Sequence, residues 1–420
     1  MIFSTDIDIR AIAQADLADW DRALKTGSPR GPFSLRGEQD LRYRTCLPGR
    51  SLGAFDHGRC VATLRSFTQE LTAVGGAAVP ANAITDVTVA ATHRRRGLLD
   101  FMMTKDLTAA KGRGDVVATT FSAEHPVFRR HGFGHAASAT EWTIDVARTG
   151  LDPLWASPED GGRIDLMEGN DIRALGLGPT LHERWCRFQP GAVNRDDHWW
   201  GVSTAADNRR STWYGPRFAV YRSADGEAEG IVSYSLDDNL GSARLPSNTV
   251  SVDWLIAVSP HAQSALWRHL CSIDGAVKVR SGWRAPDDHL PLLLPDLRAA
   301  TVTGHRDWLW VRILDIVQAL EARTYDAAGT LNLEVVDTSG PTSGRYRLEV
   351  AHDGSALCAP TDERPDLTMA VADLATLWLG EETATRLVGV SRIQENRAGA
   401  ARRADVLLHT AGRPWCPDAF

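Results

Sequence analysis

Apolar positions over residues 51–144 switch between a spacing of two and a helical spacing, and each switch marks an element. The stretch SLGAFDHGRCVATLRSFTQEL reads as two strands joined at the turn Asp56-His57-Gly58. Alternation around residues 85–89 predicts a further strand. After it come a polar step, three arginines and Gly97, and then Leu98, Leu99, Phe101, Met102 and Leu107 recur at helical spacing. Gly112 and Gly114 are expected to end that helix. DVVATTFS predicts a buried strand, Pro126 suits the first turn of a short helix, and Gly132 and Gly134 break it. ATEWTIDV closes the unit as another strand.

The same order returns after the loop at residues 157–162. RFAVYRSADGEAEGIVSYSL predicts a hairpin turning at Asp225-Gly226, and VSVDWLIAV predicts the strand behind it. After Ser259-Pro260 a helix carries Ala262, Ala265, Leu266 and Leu270. The connecting turn, VSPHAQSAL, has neither an arginine cluster nor a glycine, so the region reads as a degenerate copy of the first. A third unit starts near His305, with WVRILDIVQALEA expected as one apolar helix. The hairpin RYRLEVAHDGSALCA, turning at Asp353-Gly354, and a helix at DLATLWLG follow. The chain closes on PWCPDAF. Termini are normally polar and frayed, so Trp415 and Phe420 predict a tail packed against something.

Composition narrows the function classes. At 420 residues the chain exceeds one ordinary core, and two or three domains are expected. A formal net charge of −7 argues against general nucleic-acid binding, so any anion site must be local. No run approaches the roughly 20 apolar residues of a membrane helix. MIFSTDIDIR carries acids where a signal peptide has a basic head, so no membrane partner and a cytoplasmic location are expected. The six cysteines form no CxxC pair and the thirteen histidines no HExxH cluster, so the cysteines are read as buried free thiols and no metal is expected.

The local anion site is sought at VTVAATHRRRGLLD. Three adjacent cations repel one another and are not placed for packing. A strand that turns through glycine into a helix N-terminus leaves backbone N–H groups unpartnered, and the helix dipole adds to their pull on an anion. Gly97 permits close approach of a phosphate, and Arg94, Arg95 and Arg96 supply charge-assisted hydrogen bonds. A bare arginine triplet is more often a solvated basic bend. The strand before it, the glycine and the apolar helix behind it favour a phosphate site. There is no GxGxxG and no GxxxxGK[ST], which disfavours a dinucleotide fold and excludes a P-loop.

VTVAATHRRRGLL resembles the coenzyme A pyrophosphate signature of the GNAT acyltransferases, with Arg94 and Gly97 in the first and fourth positions and Leu99 in the sixth, where a small residue is usual. Together with FRRHGFG and the terminal PWC…F, it resembles the Eis (enhanced intracellular survival) branch, over nearly the whole chain. The resemblance implies an α/β (α+β) protein: tandem GNAT domains, each a mixed central sheet flanked by helices, and a C-terminal sterol-carrier-protein-like α+β domain. The boundaries expected on that basis are 1–148 with the acetyl-CoA site, 149–303 for the degenerate second domain, and 304–420 for the third. It also implies acetyl-CoA as co-substrate, a primary amine of a small molecule or peptide as acceptor, and a homo-hexamer. Carried over residue by residue, Val87 and Val89 would offer backbone to the pantetheine arm. Arg94, Arg95, Gly97, Leu98 and Leu99 would cradle the pyrophosphate, and the α-carboxylate of Phe420 would be the general base.

The sequence departs from that pattern where the family places its general acid. The tyrosine expected to protonate the departing thiolate is Phe128, and the small serine five residues before it is Ala123. The chain could bind coenzyme A with weakened chemistry, release the thiolate without a protein acid, or use Glu124, His125 or His131 in the tyrosine's place. General acid catalysis contributes on the order of a hundred- to ten-thousand-fold, so its loss need not abolish turnover. For the acceptor, Trp20, Asp21, Asp40 and Asp418 are candidate wall residues, though surface acids and a core tryptophan are the commoner roles. The uncharged Ala419 weakens the case for a polycationic substrate. Two other classes remain: a GNAT scaffold that binds a small molecule without turnover, and lipid binding by the third unit, which has no long apolar lining to support it.

Overall fold

The computed structural model describes residues 7–27, 49–121, 125–150, 161–204, 216–240 and 246–420. Asp40, Ala123, Glu124 and the side chain of His125 lie outside the described residues. Two compact units are present, one made of 1–136, 308–410 and 419–420, the other of 137–307 and 411–418.

The first unit is built on β1 (Ile7–Ala11), β2 (Ser51–Asp56), β3 (Arg59–Thr72), β4 (Ala78–Val89) and β5 (Val117–Phe121). The strands β1 to β4 pair antiparallel in sequence order. Between β4 and β5 the pairing is parallel, because the helix Leu98–Arg113 carries the chain back across the sheet. Residues 309–313 then pair antiparallel with β5. Leu98, Met102, Met103, Leu107 and Ala110 project from the helix onto Leu64, Ile84 and Ala118 of the sheet, which is the spacing of four and three that a core-facing helix requires. The helix runs through Gly112 and ends at Gly114, which closes it at a left-handed φ of 89°.

One expectation fails. WVRILDIVQALEA is not a single helix: the strand Ala300–Ile313 takes its first half and the helix Ile316–Ala322 its second. Asp315 sets the break, its carboxylate accepting from the Gln318 N–H at 3.0 Å as an N-cap. Upstream of it Val311 and Ile313 are β-branched and Trp310 is aromatic, residues that favour a strand.

The remainder of the first unit is a five-stranded sheet ordered 356–360, 344–350, 329–336, 367–370 and 393–395, with the buried helix Val371–Leu379 packed on it. FRRHGFG is where this module meets the first sheet. Arg129 forks onto Asp373 at 3.0–3.2 Å, and the His131 carbonyl accepts from the buried Arg312, which also holds Asp337 at 2.8 Å. A Cβ on Gly134 would lie 1.9 Å from the Ala372 carbonyl oxygen, so only glycine allows that approach. The two glycines read as helix breakers are therefore packing positions too.

The second unit repeats the plan. Strands Arg163–Met167, Arg217–Arg222, Ala228–Leu236 and Asn248–Ala257 pair antiparallel in order. Residues 248–251 then pair parallel with Ala276–Arg284 after the helix Pro260–Cys271, and residues 140–145 pair with that last strand.

Candidate active site

The geometry at the end of β4 follows from one inserted residue. Ala62 opposes Val89 and Thr63 opposes Thr88, but Arg65 opposes Thr85, so Asp86 and Val87 face Leu64 alone. Asp86 takes the bulge, with φ at 53° in the left-handed region. Two contacts hold it there: its carbonyl accepts from the Thr63 hydroxyl at 2.7 Å, and its carboxylate accepts from the Arg65 Nε at 2.7 Å. Non-glycine residues in this conformation persist where neighbours over-determine them. On its other side β4 is paired to β5 only as far as Ile84 opposite Thr120. From Thr85 onward the strands part. The backbone of Val87 and Val89 faces this opening, while their side chains lean on the core cluster of Leu98 and Met102.

Beyond Val89 the chain makes a short 3₁₀ turn at Ala91–His93. His93 Nε2 lies 2.9 Å from Asp56, an interaction that holds the Asp56 carboxyl below its usual range. Arg95 has φ at 63° and Gly97 at 77°, so the arginine loop is wound left-handed before the helix begins at Leu98. Arg94, Arg95 and Arg96 are exposed, and among the described residues none forms an ion pair with a carboxylate. Arg94 and Arg96 rest on the Val89 and Thr92 carbonyls at 3.4 and 3.1 Å. Three cations, a glycine and the first N–H groups of a sixteen-residue helix thus surround the same turn. That set fits a pyrophosphate, and the open strand pair beside it fits the extended arm of a coenzyme.

The second unit shows how such a site closes. Its bulge survives at Asp253, between the pairs Val252–Tyr234 and Trp254–Ser233. The parallel pairing also stops, at Ser251 opposite Arg280. Here, however, Gly282 turns at φ 64°, and a Cβ on it would lie 2.6 Å from the Val252 carbonyl oxygen. The helix N-terminus is satisfied internally: Ser259 accepts from the Ala262 N–H at 3.2 Å and donates to Glu229 at 2.6 Å. A carboxylate stands where an anion would otherwise sit.

Phe420 belongs to the first unit. Its ring meets Phe67 of β3 edge-on with centroids 5.6 Å apart, and Phe121 at the end of β5 at 4.6 Å. Phe121 in turn meets Trp308 at 5.2 Å. The preceding tail is fixed within the second unit. Arg195 forks onto Asp418 at 3.0–3.1 Å, and its guanidinium lies 3.7 Å above the Trp199 ring. The Trp415 N–H donates to the Pro190 carbonyl at 2.9 Å. The packed tail expected from the sequence is present.

Phe128 is a core ring, 7% exposed and edge-on to Phe133 at 5.7 Å. His131 is buried within 3.0 Å of Asp100, and burial lowers its pKa, so it carries no imidazolium proton at neutral pH. Trp20 is 1% exposed and donates to the Leu52 carbonyl at 2.9 Å; it is core, not pocket wall. Asp21 pairs with Lys25 at 2.6 Å. The five cysteines among the described residues are free thiols, and burial pushes those of Cys60, Cys186, Cys271 and Cys358 up to about 12. Sequence reasoning missed Thr63, Arg65 and Asp86, since a strand pattern does not reveal an inserted residue. It also missed Phe67 and Phe121, which read as ordinary strand aromatics.

Comparison with known proteins accords with this geometry. Two GNAT acetyltransferase domain families match residues 8–136 and 191–313, and a sterol carrier protein domain family matches 316–417. An uncharacterized N-acetyltransferase of Streptomyces avermitilis is 61% identical over 416 residues, covering 99% of both chains. The N-acetyltransferase Eis of Mycobacterium tuberculosis is 32% identical over 340 residues, covering 80% of this chain and 79% of that one. The crystal structure of Eis1 from Mycobacterium abscessus superposes with a TM-score of 0.83 at 32% identity, over 99% of this chain and all of the other.

Proposed function

The chain belongs to the Eis family of GNAT N-acetyltransferases, and on that premise we propose that it moves the acetyl group of acetyl-CoA directly to a primary amine of a small molecule or peptide. The observation that carries the proposal is the first unit's open strand pair beside three exposed arginines that, among the described residues, form no ion pair with a carboxylate. The pantetheine arm would lie along Val87 and Val89 and add hydrogen bonds where β5 no longer supplies them. Arg94, Arg95, Gly97 and the N–H groups of Leu98 and Leu99 would hold the pyrophosphate. The Phe420 carboxylate, beside the end of β5, would accept the proton of the attacking amine.

The described residues offer no phenol in the tyrosine's place. Phe128 cannot donate, and the neutral His131 faces Asp100. Glu124 and the side chain of His125 lie outside the described residues, and among the described ones we assign the departing thiolate no protein acid; thiols titrate near ~8.5, so the thiolate is a tolerable leaving group. The three-module division at 148/149 and 303/304, a cytoplasmic location and a homo-hexamer belong to the same proposal. No described helix is long and apolar enough to cross a membrane.

Thiol release from acetyl-CoA by the intact chain, with and without a panel of amines, tests this reading. Amine-dependent release is expected. Acetyl-CoA binding without release on any amine would favour the alternative, a GNAT scaffold that holds a ligand without efficient turnover.

A further inference from the structure

We propose that His93 is a positioning residue for the coenzyme: by bridging Asp56 and Thr92 it fixes the arginine turn in its phosphate-receiving shape before a ligand arrives; this rests on the acyl-transfer reading above. Such a turn needs an outside hold. Three adjacent guanidinium groups repel one another, and Arg95, with φ at 63°, adds the cost of a left-handed residue that is not glycine. The backbone supplies little in return. Among the described residues, the N–H groups of Arg94, Arg95, Arg96 and Gly97 donate to no protein acceptor. That leaves them free for phosphate oxygens, and it leaves the shape of the turn to side chains.

His93 is the one residue of 91–96 that is not exposed. Its Nε2 lies 2.9 Å from Asp56 and its Nδ1 2.8 Å from the Thr92 hydroxyl, so both ring nitrogens are engaged. The bond from His93 is the chief cause that keeps the Asp56 carboxyl below its usual range, so Nε2–H faces an ionised acceptor. The Thr92 carbonyl in turn accepts from Arg96 at 3.1 Å. Among the described residues, the side-chain hydrogen bonds of Arg94 and Arg96 stay within residues 89–96, and only the one from His93 reaches another strand. That anchor is firm, because Asp56 ends β2 and is paired with Ile7 of β1 on one side and Arg59 of β3 on the other. A turn fixed in advance binds its ligand without first being ordered. Apparent affinity then scales with the fraction of chains in which the turn is already formed.

The test uses two variants of the full chain. The amide of His93→Asn reaches only as far as Nδ1 did, whereas the amide nitrogen of His93→Gln can still donate to Asp56. Calorimetry gives the Kd for coenzyme A, and mass spectrometry gives the rate at which trypsin cuts the unliganded chain after Arg94, Arg95 or Arg96. His93→Asn should bind coenzyme A about fivefold more weakly and be cut at the turn about fivefold faster. His93→Gln should recover most of both losses. Unchanged cutting or unchanged affinity in His93→Asn, or a His93→Gln chain as impaired as His93→Asn, overturns the inference. If the parent chain binds no coenzyme A, the acyl-transfer reading fails by itself, and the cutting rates alone then decide whether His93 holds the turn.

Discussion

Phe128 stands at the position that the proposed reading gives to the family's tyrosine acid, and its surroundings are apolar. The ring is edge-on to Phe133 within the cluster of Leu98 and Met102. Restoring a phenol with Phe128→Tyr is expected to raise kcat by up to about a hundredfold and to add a basic limb to its pH profile near ~10. Steady-state kinetics from pH 6 to 10 would show it. An unchanged kcat would mean that the position no longer faces the leaving group. A second residue, His182, contributes to the loss of stability in acid. Burial beside Trp185, Trp200 and Arg195 holds its pKa down to about 2, so the fold accepts only the neutral ring. The unfolded chain protonates it below its ordinary value of 6.5. Stability is therefore complete above that pH and is lost as pH falls through it, by up to ~1.4 kcal/mol per pH unit. Unfolding free energies from denaturant titrations at pH 7 and pH 5 should differ by about 2 kcal/mol less in His182→Gln than in the parent chain.

At the scale of elements, the arginine turn and the bulge have separable jobs. Arg95→Ala should raise the KM for acetyl-CoA about tenfold and leave kcat nearly unchanged, because a pyrophosphate contact is uniform across the reaction. Added salt should narrow the gap between variant and parent. Asp86→Ala removes the carboxylate that holds Arg65 yet must keep a left-handed φ of 53°. It is expected to cost ~1–2 kcal/mol in stability, read by thermal unfolding, and to raise that KM as the register of Val87 and Val89 loosens. The strand, turn and helix around this site were legible in the sequence because their periods change cleanly at Arg94–Gly97. The bulge was not, since Asp86 sits in an unbroken run of strand-forming residues and one extra residue leaves no compositional mark. WVRILDIVQALEA misled for a related reason. A continuous apolar run fits both periods, and the capping role of Asp315 decides between them only once the chain is folded.

At the scale of the molecule, the first unit draws together residues from three separate stretches of sequence. Buried arginines do much of that work. Arg323 lies under the ends of two helices and donates to the carbonyls of Leu377, Trp378, Leu408 and His409, and burial pushes its pKa down to about 10. Arg323→Met should destabilise the chain by about 3 kcal/mol or more, measured by urea unfolding, because four helix-end carbonyls lose their donor. Arg312 and Arg129 act similarly on the His131 carbonyl, Asp337 and Asp373. None of these roles could be read from the sequence, where an arginine is expected at the surface. The tail was legible, because Trp415 and Phe420 are costly residues to leave in solvent.

Appending one glycine after Phe420 tests most directly whether its α-carboxylate is the base. The addition keeps the ring that packs on Phe67 and Phe121 and replaces the carboxylate at that position with an amide. The expected result is a fall in kcat of about a hundredfold or more with the Kd for acetyl-CoA unchanged. Full turnover by the extended chain would contradict that role and move the base to another residue.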